Sequence, residues 1–250
     1  VALYAVIDQT TLAGVDLAWQ SANNPSAIAS GSLDSTGLTV NSVWPAVFGI
    51  KDVLLTLREI SSLSGVAVDA PLIINNSAGQ RLCEKEIGVT YSSRHASCHT
   101  SNTKLYPNAD SVELSNKLSH LGFSHIVGNS WQIECYPHPA IIEIFDLDER
   151  LKYKKGRVSA KKAGQVELGR LIGQLSSSPV LKLNVGDAFA NYSDAAYIQS
   201  LKGQALKSNE DALDAIICLY IAALHSVGGM GREFGNVEDG YIWVPQRVCI

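Results

Sequence analysis

Four stretches of the chain place a carboxylate where packing alone would favour an apolar side chain. Asp16 lies in Gly14-Val15-Asp16-Leu17-Ala18-Trp19, and Asp69 in Val66-Ala67-Val68-Asp69-Ala70-Pro71. Glu134 lies in Gln132-Ile133-Glu134-Cys135-Tyr136-Pro137, and Asp211 and Asp214 share Asp211-Ala212-Leu213-Asp214-Ala215. Burying a lone carboxylate is costly, so an acid at a strand end among apolar neighbours calls for a partner or an ion. Asp211 and Asp214 are three apart in a helical stretch and share a face, where they repel unless a cation neutralises them. Clustered carboxylates without a Cys/His grid suit a hard cation with oxygen ligands, Mg²⁺ or Mn²⁺. Two such ions about 3.5–4 Å apart can activate water and stabilise the leaving oxygen of a phosphodiester, a chemical reason to hold four or five acids rather than two. Each acid alone also has an ordinary reading: first-turn dipole chemistry for Asp211, a lysine pair for Asp214, an exposed strand position for Glu134.

Other residues could serve the same chemistry. Arg81, Glu84 and Arg94 follow Asp69 along the chain, and Arg81 could clamp a phosphate. An Arg–Glu pair on a helix surface explains them equally well. Arg150, Lys152, Lys154, Lys155, Arg157, Lys161 and Lys162 form the one dense basic run. Lys154, Lys155 and Arg157 are its phosphate-binding candidates, and a solvated face is the plain alternative. Cys83, His95, Cys98 and His99 match no standard zinc spacing, so a polar loop is expected there. His138 is read as turn chemistry between Pro137 and Pro139, with proton transfer as the other reading. Gly229-Met230-Gly231 with Gly235 follows a helix rather than a strand, which excludes a dinucleotide loop. No P-loop, nucleophile-elbow serine or HExxH motif occurs.

The elements that must position these residues follow from periodicity and turn residues. Thr11–Gln20, Ala27–Asp34 and Leu38–Val47 read as three strands of an antiparallel meander. Gly49–Leu63 has apolar residues at helical spacing, and Gly65–Pro71 is a short buried strand, which implies a crossover into parallel pairing. Gln80–Ile87 and Asp110–Leu121 suit helices around a polar loop, Ser92–Asp110. Trp131–Tyr136 reads as a strand closed by Pro137 and Pro139. Gln165–Leu175 and Asp194–Leu206 are amphipathic helix candidates. Asn209–His225 is the strongest helix, with Asn209 as its cap, Asp211 in its first turn and Gly228-Gly229 as its stop. Tyr241–Val244 is a late strand.

Composition narrows the class. The 250 residues are 46% hydrophobic and 18% charged, ordinary for a globular chain. A net charge of −4 gives no global pull toward a polyanion, so any such contact must be local. No stretch is apolar enough for a membrane span. Val1 opens no basic segment leading into an apolar core, so no signal peptide is expected. The five cysteines, Cys83, Cys98, Cys135, Cys218 and Cys249, are irregularly spaced and suit reduced thiols in a cytoplasmic setting.

The order of strand-acid, strand-acid, strand-acid and helix-acid resembles the ribonuclease H-like superfamily, and the Asp211-x-x-Asp214-Ala215 helix resembles that of its Holliday-junction resolvases. Seven segments are similar to the family called domain of unknown function 429, described as predicted RNase H-like nucleases. They are Gly14-Val15-Asp16-Leu17-Ala18, Val68-Asp69-Ala70-Pro71-Leu72, Arg81-x-Cys83-Glu84, Glu134-Cys135-Tyr136-Pro137, Tyr153-Lys154-Lys155-Gly156-Arg157, Asp211-Ala212-Leu213-Asp214-Ala215 and Gly240-Tyr241-Ile242-Trp243-Val244-Pro245. The resemblance implies an α/β fold: a mixed five-stranded RNase H-like sheet flanked by helices, with a helical and loop insertion after the fourth strand and a C-terminal extension. It implies one domain over 1–250, with the insertion at about 75–129 and a family-specific segment at about 145–207. It further implies a Mg²⁺- or Mn²⁺-dependent nuclease acting on DNA or RNA through a local basic patch. Asp16 would bridge the metals, Asp69 and Glu134 would ligate from strand ends, and Asp211 or Asp214 would complete the set. Asp69 stands where resolvases usually carry Glu. Two other readings stay open: a non-catalytic binding protein on the same fold, and an actin-like or sugar-kinase-like phosphotransferase.

Overall fold

The structure, a computed structural model, describes residues 9–20 and 24–246. The expectations attached to Val1 and Cys249 fall outside them. Thr10–Asp16 (β1), Pro25–Asp34 (β2) and Gly37–Phe48 (β3) form the antiparallel meander, with β1 paired to β2 from Thr10↔Leu33 to Asp16↔Ala27. Gly49–Glu59 (α1) crosses over to Leu63–Asp69 (β4), which pairs parallel to β1. Leu82–Tyr91 (α2) and Asp110–His120 (α3) follow, then the short Ser124–His125 (β5) and Trp131–Glu134 (β6), which lies parallel to β4.

The chain then departs from its expected path. Pro137–Phe145 is a helix (α4), although the two prolines read as a strand stop. Proline in the first turn of a helix costs no hydrogen bond, because the N–H it lacks has no intrahelical acceptor there. Val158–Gln174 (α5) begins seven residues ahead of the expected Gln165. Leu183–Asn184 (β7) is followed by Gly186–Ser193 (α6), Ala195–Ser200 (α7) and Gly203–Ser226 (α8). Asp194–Leu206 is therefore not one helix: Leu201 is extended at ψ 147° and separates α7 from α8. Because α8 starts at Gly203, Asn209 does not cap it and Asp211 lies inside it rather than in its first turn. Asn209 Nδ2 donates to Gln165 Oε1 on α5 instead, at 3.0 Å. Gly231–Asn236 (β8) and Gly240–Pro245 (β9) form a C-terminal hairpin, of which only the second strand was expected.

Among the described residues the mixed sheet has the order β5-β6-β4-β1-β2-β3-β7, seven strands rather than five. The two additions, β5 and β7, are two-residue edge strands, too short to show an alternating pattern. Alternation along β1 sends Leu12 to one core, with α8, and Ala13 and Val15 to the other, with α1 and α3. The α8 side chains from Asn209 to Leu224 are all buried, and from Ala215 to Leu224 the helix is apolar around its circumference. Gly14 sets its distance from the sheet. A Cβ there would lie 2.0 Å from the Leu219 amide nitrogen and 2.3 Å from the Ala215 carbonyl oxygen. Among the described residues no helix is long and apolar enough to cross a membrane.

Candidate functional site

Asp16 and Asp69 are register partners at the carboxyl ends of the parallel strands β1 and β4. Each sits an even number of residues from a side chain of the α8 core, Leu12 and Ala67, so alternation turns both acids toward α8. Asp211 and Asp214 meet them from that helix. Asp214 is fully buried and Asp211 nearly so, while Asp16 and Asp69 are partly exposed. Four of the five expected acids thus converge from three elements.

Two lysines stand among them. Lys154 Nζ lies 2.7 Å from Asp214 Oδ2 and 3.8 Å from Asp69 Oδ2. The fully buried Tyr153 hydroxyl donates to Asp214 Oδ1 at 2.6 Å. Lys207 Nζ donates to Asp211 Oδ1 and, at 2.8 Å, to Glu210 Oε1. Burial pushes the Asp69 carboxyl up to about 8, against the pull of Lys154 and helped by Asp16 and Asp214. Burial and the neighbouring Asp16 push Asp211 up to about 8. Burial raises Asp214 to about 6, with Lys154 opposing. Lys154 itself is held well above the usual lysine range: Asp214 and its other acidic neighbours outweigh the cost of burial. Among the described residues, no three His, Cys, Asp or Glu side chains are grouped closely enough to hold a metal ion.

Glu134 faces elsewhere. On β6 it pairs with Val68, and the Cys135 amide donates to the Val68 carbonyl at 2.9 Å, so Cys135 rather than Glu134 is level with Asp69. The one-residue offset turns the glutamate away from α8. Arg81 holds it from both sides, with Nη2 donating to Oε1 at 2.6 Å and Nη1 to Oε2 at 2.8 Å. The Leu72 amide adds a third bond at 2.9 Å. Arg81 Nε donates to Glu84 Oε1 at 2.8 Å, and Glu84 also accepts from the Ser101 amide. Arg81 and Glu84 are therefore not a surface pair, and the Arg81 donors that would clamp a phosphate are engaged by carboxylates.

The basic run divides. Lys155 and Arg157 are exposed, but Lys162 is buried and its Nζ donates to the Gln199 carbonyl. Arg94 pairs with Glu143 at 2.9 Å. His138 lies buried on α4 between the Tyr136 and Tyr153 rings, and burial together with Lys154 holds it well below the usual histidine range. Cys83 is buried and pushed up to about 12, chiefly by burial. Two clefts meet at Asp16. One, of about 270 Å³, is lined by Asp69, Tyr136, His138, Arg150, Lys154 and Lys155; the other, of about 210 Å³, by Trp19, Gln204, Lys207 and Asp211. Tyr153 and Lys207 are site residues that the sequence reading missed. The i,i+4 spacing of Lys207 and Asp211 was a legible signal for the second; the family-like segment Tyr153-Lys154-Lys155-Gly156-Arg157 marks the first without giving it a role.

A family model described as "Protein of unknown function (DUF429)" matches residues 14–239. Neither a curated protein nor a solved structure matches the chain.

Proposed function

The chain belongs to the DUF429 family, and we propose that it is a metal-dependent phosphodiester hydrolase, a nuclease on a single RNase H-like domain spanning 1–250. The segment at about 75–129 is an insertion in that domain, and 145–207 is specific to the family. The order β3-β2-β1-β4-β6 within the larger sheet, with β1 and β4 parallel, supports this reading. The observation that carries it is the in-register pair Asp16 and Asp69, facing Asp211 and Asp214 on α8.

The donor set fits a hard divalent cation in kind: four carboxylates from β1, β4 and α8, three of them raised by burial and mutual repulsion. Positive charge is what the pocket lacks, and Lys154 and Lys207 supply part of it. Asp16, Asp69, Asp211 and Asp214 would hold Mg²⁺ or Mn²⁺, while Glu134 serves as the buried partner of Arg81. The cation supplies activation of water and stabilisation of the leaving oxygen. Lys154, Lys155 and Arg150 line the cleft beside the acids and would orient an anionic phosphate of DNA or RNA toward them. The test is Mn²⁺ titration by calorimetry, together with cleavage of DNA and RNA oligonucleotides, comparing the wild type with Asp16→Asn. Loss of both binding and cleavage in a folded variant supports the proposal; unchanged cleavage refutes it.

The ammonium groups already among the acids favour one other reading, a non-catalytic binding protein on the same fold. That reading expects nucleic-acid binding without turnover, unaffected by Asp16→Asn.

A further inference from the structure

Lys154 is not an ordinary surface ion pair. Its partner Asp214 is fully buried, and the second oxygen of that carboxylate is taken by the Tyr153 hydroxyl, which leaves Oδ2 for a single cation. The same ammonium reaches Asp69 Oδ2 from the other side, so it spans acids of β4 and α8. The backbone that carries it is seated closely on α5. A Cβ at Gly164 would lie 2.2 Å from the Lys152 carbonyl oxygen and 2.7 Å from Tyr153 Cα. The side chain keeps 22% exposure and lines the cleft with Arg150 and Lys155, so it has a route out of the acidic pocket. Lys207, by contrast, is half exposed and pairs with residues of its own helix.

We infer that Lys154 is an internal counter-cation that competes with a divalent metal ion for the pocket between Asp69 and Asp214. This rests on the metal-site reading above. A pocket open to metal only while Lys154 is withdrawn binds more weakly by the fraction of time it is open, and removing the lysine removes that penalty.

The test is calorimetric Mn²⁺ titration of the full chain in wild-type, K154M and K152M forms. K152M serves as control because Lys152 is exposed and pairs with Glu149. The expected result is Mn²⁺ binding at least ~10-fold tighter in K154M, with K152M matching wild type. Wild type and K154M agreeing within about 2-fold, or weaker binding in K154M, overturns the inference while leaving the metal site standing. No binding by either sinks both. A second measurement needs no variant: acetylation of wild-type lysines, read by mass spectrometry. Lys154 should become more reactive when Mn²⁺ is added, and unchanged or reduced reactivity overturns the inference.

Discussion

Asp16 and Asp69 stand level with each other at the ends of two neighbouring parallel strands, both turned toward α8. Two carboxylates so placed repel, and the site is built around that repulsion.

Replacing Asp16 by Asn should therefore weaken Mn²⁺ binding and lower cleavage by more than about 100-fold. With one of the repelling carboxylates removed, the metal-free variant should unfold at the same temperature as wild type or a higher one. Calorimetry and thermal unfolding check the two halves separately, and a lower unfolding temperature with retained metal binding would contradict both.

The raised carboxyls predict an unusual pH dependence. Asp69 and Asp211 at about 8 and Asp214 at about 6 stay protonated in the folded chain well above their ordinary 3.8. Between those limits the folded state binds more protons than the unfolded one, so stability falls as pH rises. Without metal, the urea midpoint should drop between about pH 4 and pH 8. Mn²⁺ binding should release protons and flatten the dependence. A midpoint that rises over this range without metal would refute the assignment.

Arg81→Ala should cost stability rather than chemistry. It strands Glu134 and Glu84 in the interior, at a cost of about 3–5 kcal/mol in urea unfolding. Adding Glu134→Ala should restore part of the loss, since the two side chains share one network.

Tyr153→Phe removes the donor to Asp214 Oδ1 without changing the ring. A buried acceptor left unpaired costs about 1–3 kcal/mol. Mn²⁺ affinity should fall too, because the Asp214 carboxylate loses the bond that orients it. Unfolding and metal titration of the one variant test both effects.

Gly14→Ala should push α8 off the sheet, since the new methyl meets the helix backbone at 2.0 Å. A destabilisation of about 3 kcal/mol or more is expected, with weaker Mn²⁺ binding in whatever fraction folds. A stable variant with unchanged metal affinity would show that the helix-to-strand spacing does not set the site.

Much of this arrangement is legible along the chain. The acids at 16, 69, 211 and 214 are marked by their apolar surroundings, and the small residues Ala212 and Ala215 suit a helix lying close on a sheet. The meander, the crossover and α8 follow from period-2 and period-3.6 patterns, which are local. The edge strands β5 and β7 are too short to carry such a pattern, and the start of α8 at Gly203 was hidden because Asn209 makes a plausible cap.

The amino-acid order settled which acids exist and which strands and helix carry four of them into one place. It did not settle the role of Glu134, because strand alternation says only that neighbours point to opposite faces. Which face is the site depends on the register of β6 against β4, a long-range pairing that puts Cys135 level with Asp69 and leaves Glu134 to Arg81. Nor does any local pattern bring Lys154 and Tyr153 to Asp214, some sixty residues away along the chain. Those contacts come from the packing of residues 152–153 on α5, and a charge balance among distant residues is decided only once the chain has folded.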